Sequence, residues 1–312
     1  MADAPSAEAA ATNTSVEEAA PAFIDLCAGN ELSSEDADAV TLRSPAHLVV
    51  FAGAAESGKT TVLASVYERF SEGAFAGFQF AGSRSLLGFE QICYLNRLAS
   101  GGTRSDTPRT VPSDEAAYYH LALRAAEAGA QRRHILLSAI SGELFRLAKN
   151  SREDCERLTF LHRANTIVVL VDGARLAVTA QRTNAQSEAS SILESFLDAK
   201  MLGSRCRVEF VFSKLDRVVE AGDAAVEFLN TTETKLKTKF GDRVPHLAFR
   251  RIAARPEVEP TREPLNDGLA EAFTAWTTPV AVGAGAAPQD APPSDAREFA
   301  KYGWRYSAKR ES

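Results

Sequence analysis

One segment, Gly53-Ala54-Ala55-Glu56-Ser57-Gly58-Lys59-Thr60, fits the pattern GxxxxGK[ST] in full. Its residue types suit the capture of phosphate. Gly53 and Gly58 let the backbone curl, so that the N–H groups from Ala54 to Thr61 can point inward on an anion. Lys59 would reach the terminal phosphates as a point charge, and it is a candidate catalytic group. The Thr60 hydroxyl would bind Mg²⁺. A Gly-rich turn beside an unrelated lysine is the bland alternative. It is disfavoured because a strand-like run precedes the segment and a helix-like run follows it.

A second constellation bears on the base. The apolar run Val208–Phe212 ends in Ser213-Lys214-Leu215-Asp216. This resembles the [NT]KxD guanine-specificity motif of GTPases. The resemblance implies that the Asp216 carboxylate accepts from the guanine ring and its exocyclic amine, a donor pair that adenine lacks on that edge. It also implies that Lys214 covers the base. Ser213 departs from Asn or Thr but keeps a hydroxyl able to tie this loop to the phosphate loop. A third base contact, resembling [ST]AK, is expected after the following strand. There Ala253-Ala254-Arg255 offers the backbone N–H of Ala254 to the guanine oxygen.

The segments that would sense the γ-phosphate are less regular. GTPases carry DxxG after a strand beside the phosphate loop; here that position reads Ala139-Ile140-Ser141-Gly142-Glu143. Gly142 keeps the glycine, whereas Ala139 replaces the aspartate. A methyl neither accepts a hydrogen bond from a metal-bound water nor offsets Mg²⁺ charge, so slower phosphoryl transfer is expected. Glu143 stands where many GTPases hold a water-positioning Gln, or it is a first-turn acid that suits the helix dipole. Asp172, ending the run Ile167–Val171, either supplies a metal carboxylate from a neighbouring strand or opens an ordinary turn. Thr107 and Thr110, in a polar loop over 100–116, are the candidate Mg²⁺-binding switch threonines. Arg104 and Arg109 in the same loop are candidate fingers in cis.

Such a site must rest on alternating strands and helices. Buried-type runs are predicted as strands at His47–Ala52, Tyr118–Leu123, His134–Ile140, Thr166–Val171, Val208–Phe212 and His246–Ile252. Helical spacing is predicted over Thr60–Phe70, 85–99, 142–160, 184–202, 223–240 and 265–276. The alternation argues for an α/β domain with a mainly parallel sheet. Three regions are expected: an acidic, largely disordered arm over 1–45, a nucleotide-binding domain over 46–277, and a Pro/Ala-rich linker with a basic-aromatic tail over 278–312. In the tail, Phe299, Tyr302, Trp304 and Tyr306 are candidate docking anchors.

The chain has 312 residues and a formal charge of −6. Residues 1–45 hold nine acidic side chains and one basic, and 278–312 hold four and five. The central segment keeps 28 acidic and 29 basic residues, so it is nearly neutral. It has no basic-aromatic motif, hence no strong nucleic-acid signal. Cys27, Cys93, Cys155 and Cys206 are scattered without CxxC spacing, which argues against a zinc site and for reduced thiols in a cytosol. The N-terminus lacks a basic start and an apolar run, and no apolar run is long enough to span a bilayer.

Taken together, the phosphate loop, AISGE, VDG, SKLD and the segment FAGSRSLLGFEQICYLNRLASG resemble bacterial TRAFAC-clade GTPases of the double-GTPase type, tied to conflict and defence gene clusters. The resemblance spans about residues 46–277. It implies a Rossmann-like P-loop fold in three α/β/α layers, GTP or GDP as ligand, Mg²⁺, and protein partners in a cytoplasmic multi-protein assembly. Three functions stay open: a GTP-binding switch with hydrolysis impaired by Ala139, a nucleotide-locked scaffold, and an ATP-using P-loop ATPase or kinase, against which Asp216 argues.

Overall fold

The computed structural model describes residues 28–94, 116–125, 130–138, 141–142, 144–145, 148, 151–255 and 268–280. Strands β1 (Ala46–Ala52), β2 (Phe78–Gly82), β3 (Tyr118–Ala125), β4 (Arg132–Ser138), β5 (Thr166–Asp172), β6 (Arg207–Ser213) and β7 (Leu247–Arg251) form one sheet. Its order is β2-β3-β4-β1-β5-β6-β7. From β4 to β7 all neighbours run parallel, whereas β3 is antiparallel to both β2 and β4. The parallel strands read as continuous apolar runs because helices cover both of their faces. Every residue of β5 is buried. Ile167, Val169 and Val171 enter one core, and Val168 and Leu170 enter the other.

One layer holds α1 (Ser34–Arg43), α4 (Arg152–Glu156), α6 (Arg182–Asp198) and α8 (Asp223–Phe240). The opposite layer holds α2 (Lys59–Glu72), α3 (Leu86–Tyr94) and α9 (Leu269–Thr277). In α6 the apolar spacing Ala185, Ala189, Ile192, Leu193 and Phe196 makes one stripe toward the sheet. Burying each large member of that stripe stabilises the fold by about 1.5–3 kcal/mol. Two short helices, α5 (Gly173–Ala177) and α7 (Leu215–Glu220), follow the ends of β5 and β6 directly. The result is the three-layer α/β/α architecture expected from the sequence.

Several boundaries differ from expectation. Residues 28–45 do not belong to a disordered arm. Leu32 exchanges backbone hydrogen bonds with Tyr118, and α1 buries Ala37 and Val40. A capping box starts that helix: Ser33 Oγ accepts from Asp36 N, and Asp36 Oδ2 accepts from Ser33 N. The helix expected over 142–160 is interrupted at Ser151, whose extended backbone caps α4 through Ser151 Oγ and Asp154 N at 3.2 Å. A 3-10 turn over Thr159–Arg163 follows. The edge strand β2 had no sequence expectation, since FQFAG is too short to display alternation. The candidate tail anchors Phe299, Tyr302, Trp304 and Tyr306 lie outside the described residues.

Candidate nucleotide site

β1 sits where the sheet's connections diverge, with β4 on one side and β5 on the other. That switch point, at the carboxyl ends of parallel strands, is where open α/β sheets form a ligand crevice. The phosphate loop leaves β1 at Ala52 and ends at the start of α2. Gly58 takes a left-handed conformation (φ 96°), which a side chain would strain, to turn the loop into the helix. Lys59 is 8% exposed. Its Nζ donates to the carbonyls of Gly53 (2.9 Å) and Ala54 (2.7 Å), and so lies across the mouth of the loop. Burial lowers its pKa from 10.5 to about 8. Thr60 and Thr61 open α2 beside it.

The sequence-predicted base residues meet this loop. Ser213 Oγ donates to Ser57 O at 2.8 Å, with Val171 O at 3.3 Å. The serine therefore makes the tie for which its hydroxyl was expected. Lys214 holds φ 52°, unusual for a non-glycine residue. From there its Nζ donates to Glu56 O (2.8 Å) and to Asp172 Oδ2 (3.0 Å). Gly58, Thr61, Lys214, Asp216, Ala254 and Arg255 line one cavity of about 300 Å³. Arg255 also pairs with Glu68 on α2.

Asp172 is 5% exposed, and both of its oxygens have protein partners: Oδ1 caps α5 by accepting from Ala174 N (3.0 Å), and Oδ2 meets Lys214. Gly173 follows because a Cβ there would overlap the carbonyl of Ser213. Both roles weighed for the VDG segment bear on this geometry, and the observed partners are those of a turn and an ion pair. Gly142 lies against the phosphate loop. A Cβ on it would sit 2.6 Å from Ala55 N and 2.9 Å from Ala54 C, so only glycine fits. Ala139, Glu143, Thr107, Thr110, Arg104 and Arg109 lie outside the described residues.

Spacing did not signal two contacts. The Lys214–Asp172 pair joins two strand ends 42 residues apart. The Arg255–Glu68 pair spans 187 residues. The adjacency of VDG and SKLD on neighbouring parallel strands, register Asp172↔Ser213, is the signal that would have found the first.

The other titratable clusters are remote from this cavity. His120 Nδ1 accepts from Arg84 N (3.0 Å), so its Nε2 carries the proton and donates to His134 Nδ1 (2.9 Å). Burial lowers His120 to about 4. Burial pushes Cys155 up to about 11 and Cys206 up to about 12, so both stay thiols. Among the described residues no group of three or more His, Cys, Asp or Glu side chains could hold a metal ion. None of the described helices is long and apolar enough to cross a membrane.

A mainly parallel sheet, a GxxxxGK[ST] loop at its switch point and an aspartate-bearing loop beside it define a P-loop GTPase fold. The chain belongs to the Double-GTPase 2 family, whose model matches residues 47–277. No curated protein matches the sequence. Similar solved structures include the GTPase-like domain of S. cerevisiae Ski7 bound to GDP and inorganic phosphate, at 11% identity and TM-score 0.48, covering 78% of this chain and 52% of that one. The signal recognition particle receptor complex SRb-GTP/SRX from Chaetomium thermophilum is similar at 14% identity and TM-score 0.43, covering 75% and 100%. A bacterial selenocysteine-specific elongation factor, EF-Sec, is similar at 14% identity and TM-score 0.36. The match covers 74% of this chain and only 28% of that factor.

Proposed function

We propose that this chain is a Mg²⁺-dependent guanine-nucleotide switch whose hydrolysis is slow. One observation carries the reading: Lys214, Asp216 and Ala254 line one cavity with Gly58 and Thr61, at the start of the helix that follows the phosphate loop. A base there would meet the Asp216 carboxylate and the Ala254 backbone, while its phosphates lie on the loop from Gly53 to Thr61. The Thr60 hydroxyl, a hard oxygen at the start of α2, suits Mg²⁺ shared with phosphate oxygens and water. Bound there, the ion would neutralise phosphate charge. Lys59 would exchange its two carbonyl partners for phosphate oxygens.

The contact of Gly142 with Ala54 and Ala55 supports a second half of the proposal. A γ-phosphate arriving beside this loop would act on the Gly142 segment and on Thr107 or Thr110, and its loss would release them. Ala139 makes turnover slow, with Glu143 as the water-orienting residue. It also favours the second reading, a nucleotide-locked scaffold. The place of action, a bacterial cytoplasmic conflict assembly with protein partners, rests on the sequence resemblance.

Two measurements test this. Titration with fluorescent GTP and ATP analogues in Mg²⁺ should show a preference for GTP; preference for ATP would sink the guanine assignment. Phosphate release should be slow in the native chain and should rise at least tenfold in Ala139→Asp, on the scale expected for one restored electrostatic contact. A smaller rise would remove Ala139 as the cause and leave the scaffold reading.

A further inference from the structure

Resting on the guanine reading above, we propose that Arg255 and Glu68 form a clasp that positions the base-reading loop for the 6-oxo group of the purine. The backbone of this loop is tied at its start: Ile252 N donates to Phe212 O (2.9 Å), and Leu215 N donates to Ile252 O (3.0 Å). Ala253 is fully buried and Ala254 reaches the cavity wall. The side chain of Arg255 then crosses to α2, where Nη2 donates to Glu68 Oε2.

This pair is half-sequestered, with side-chain exposures of 21% and 23%. An ion pair screened from water in this way holds its geometry better than an exposed one. Glu68 lies on the helix that begins at Lys59 and Thr60. The clasp therefore fixes the loop that offers Ala254 N–H relative to the helix that seats the phosphates. Arg255 acts through Ala254 and is a positioning residue.

A single oriented N–H is worth about tenfold in affinity. The discriminating ligand is 6-thio-GTP. It keeps the ring N–H and exocyclic amine that Asp216 would read, and replaces the oxygen with sulfur, a poor acceptor. The native chain should bind GTP more tightly than 6-thio-GTP. Arg255→Ala should weaken GTP by about tenfold and leave 6-thio-GTP nearly unchanged, so that the preference disappears. Glu68→Gln should do the same, and the double substitution should cost no more than either alone. The exchanged pair, Arg255→Glu with Glu68→Arg, should recover most of the preference.

Thermal melting shows whether each variant is folded, and Glu68→Gln keeps the test open should Arg255→Ala fail to fold. Equal weakening of both nucleotides, or no weakening of either, would overturn the clasp. Failure of the underlying guanine reading has a separate signature: Asp216→Ala would then keep native GTP affinity.

Discussion

Lys59 joins its own loop through two backbone carbonyls, and burial lowers its pKa to about 8. Nucleotide binding that uses the ammonium should therefore weaken as pH rises through 8, approaching a tenfold loss per pH unit above it. Fluorescent-nucleotide titrations at pH 7, 8 and 9 measure this; an affinity flat to within twofold would contradict the role. Ser213 shows how far residue-level reading reached. Its hydroxyl was legible as able to tie this loop to the phosphate loop, and the hydroxyl does reach Ser57 O. Asp172 was less legible. Both of its possible roles follow a strand ending, and the partner that holds its Oδ2, Lys214, comes from another strand.

At the scale of elements, the long periodic stretches were readable and the short ones were not. The spacing over 223–240 coincides with α8, whereas α5 and α7, of five and six residues, are too short for periodicity. β2 escaped because five residues are too few to display alternation, and α1 escaped because its apolar content is low. The element with the least expected anchoring is α9. Thr166 Oγ1 donates to Trp276 O (2.9 Å), Arg207 Nη1 donates to Ala275 O, and the Trp276 ring meets Phe51 edge-on at 5.3 Å. Beneath it, Glu209 is fully buried and paired with Arg250. Burial outweighs that cation and Arg207, and raises the carboxyl from 4.5 to about 7. A raised acid favours the folded state below its unfolded value and loses that contribution as pH climbs through 7. The melting temperature of the native chain, relative to Glu209→Gln, should accordingly fall between pH 5 and pH 8. A constant difference across that range would contradict the shift.

For the whole molecule, the charge and the fold have separate origins. The net charge of −6 owes most to residues 1–45, while 46–277 are close to neutral. A phosphate cradle needs no positive surface, because backbone N–H groups, one buried lysine and a helix N-terminus supply the field locally. Alternating runs were enough to read an α/β domain with a mainly parallel sheet, and the family resemblance supplied its three layers. The meeting of residues near 58, 172, 214 and 254 at one crevice became visible only once the strand order was known. That meeting is the basis for reading guanine through Asp216, and exchanging the carboxylate for an amide tests it most directly. Xanthosine triphosphate carries a carbonyl where guanine carries its exocyclic amine. Asp216→Asn should therefore bind xanthosine triphosphate more tightly than GTP, reversing the preference of the native chain. If Asp216→Asn still prefers GTP by the native ratio, Asp216 does not read the base and the central claim fails.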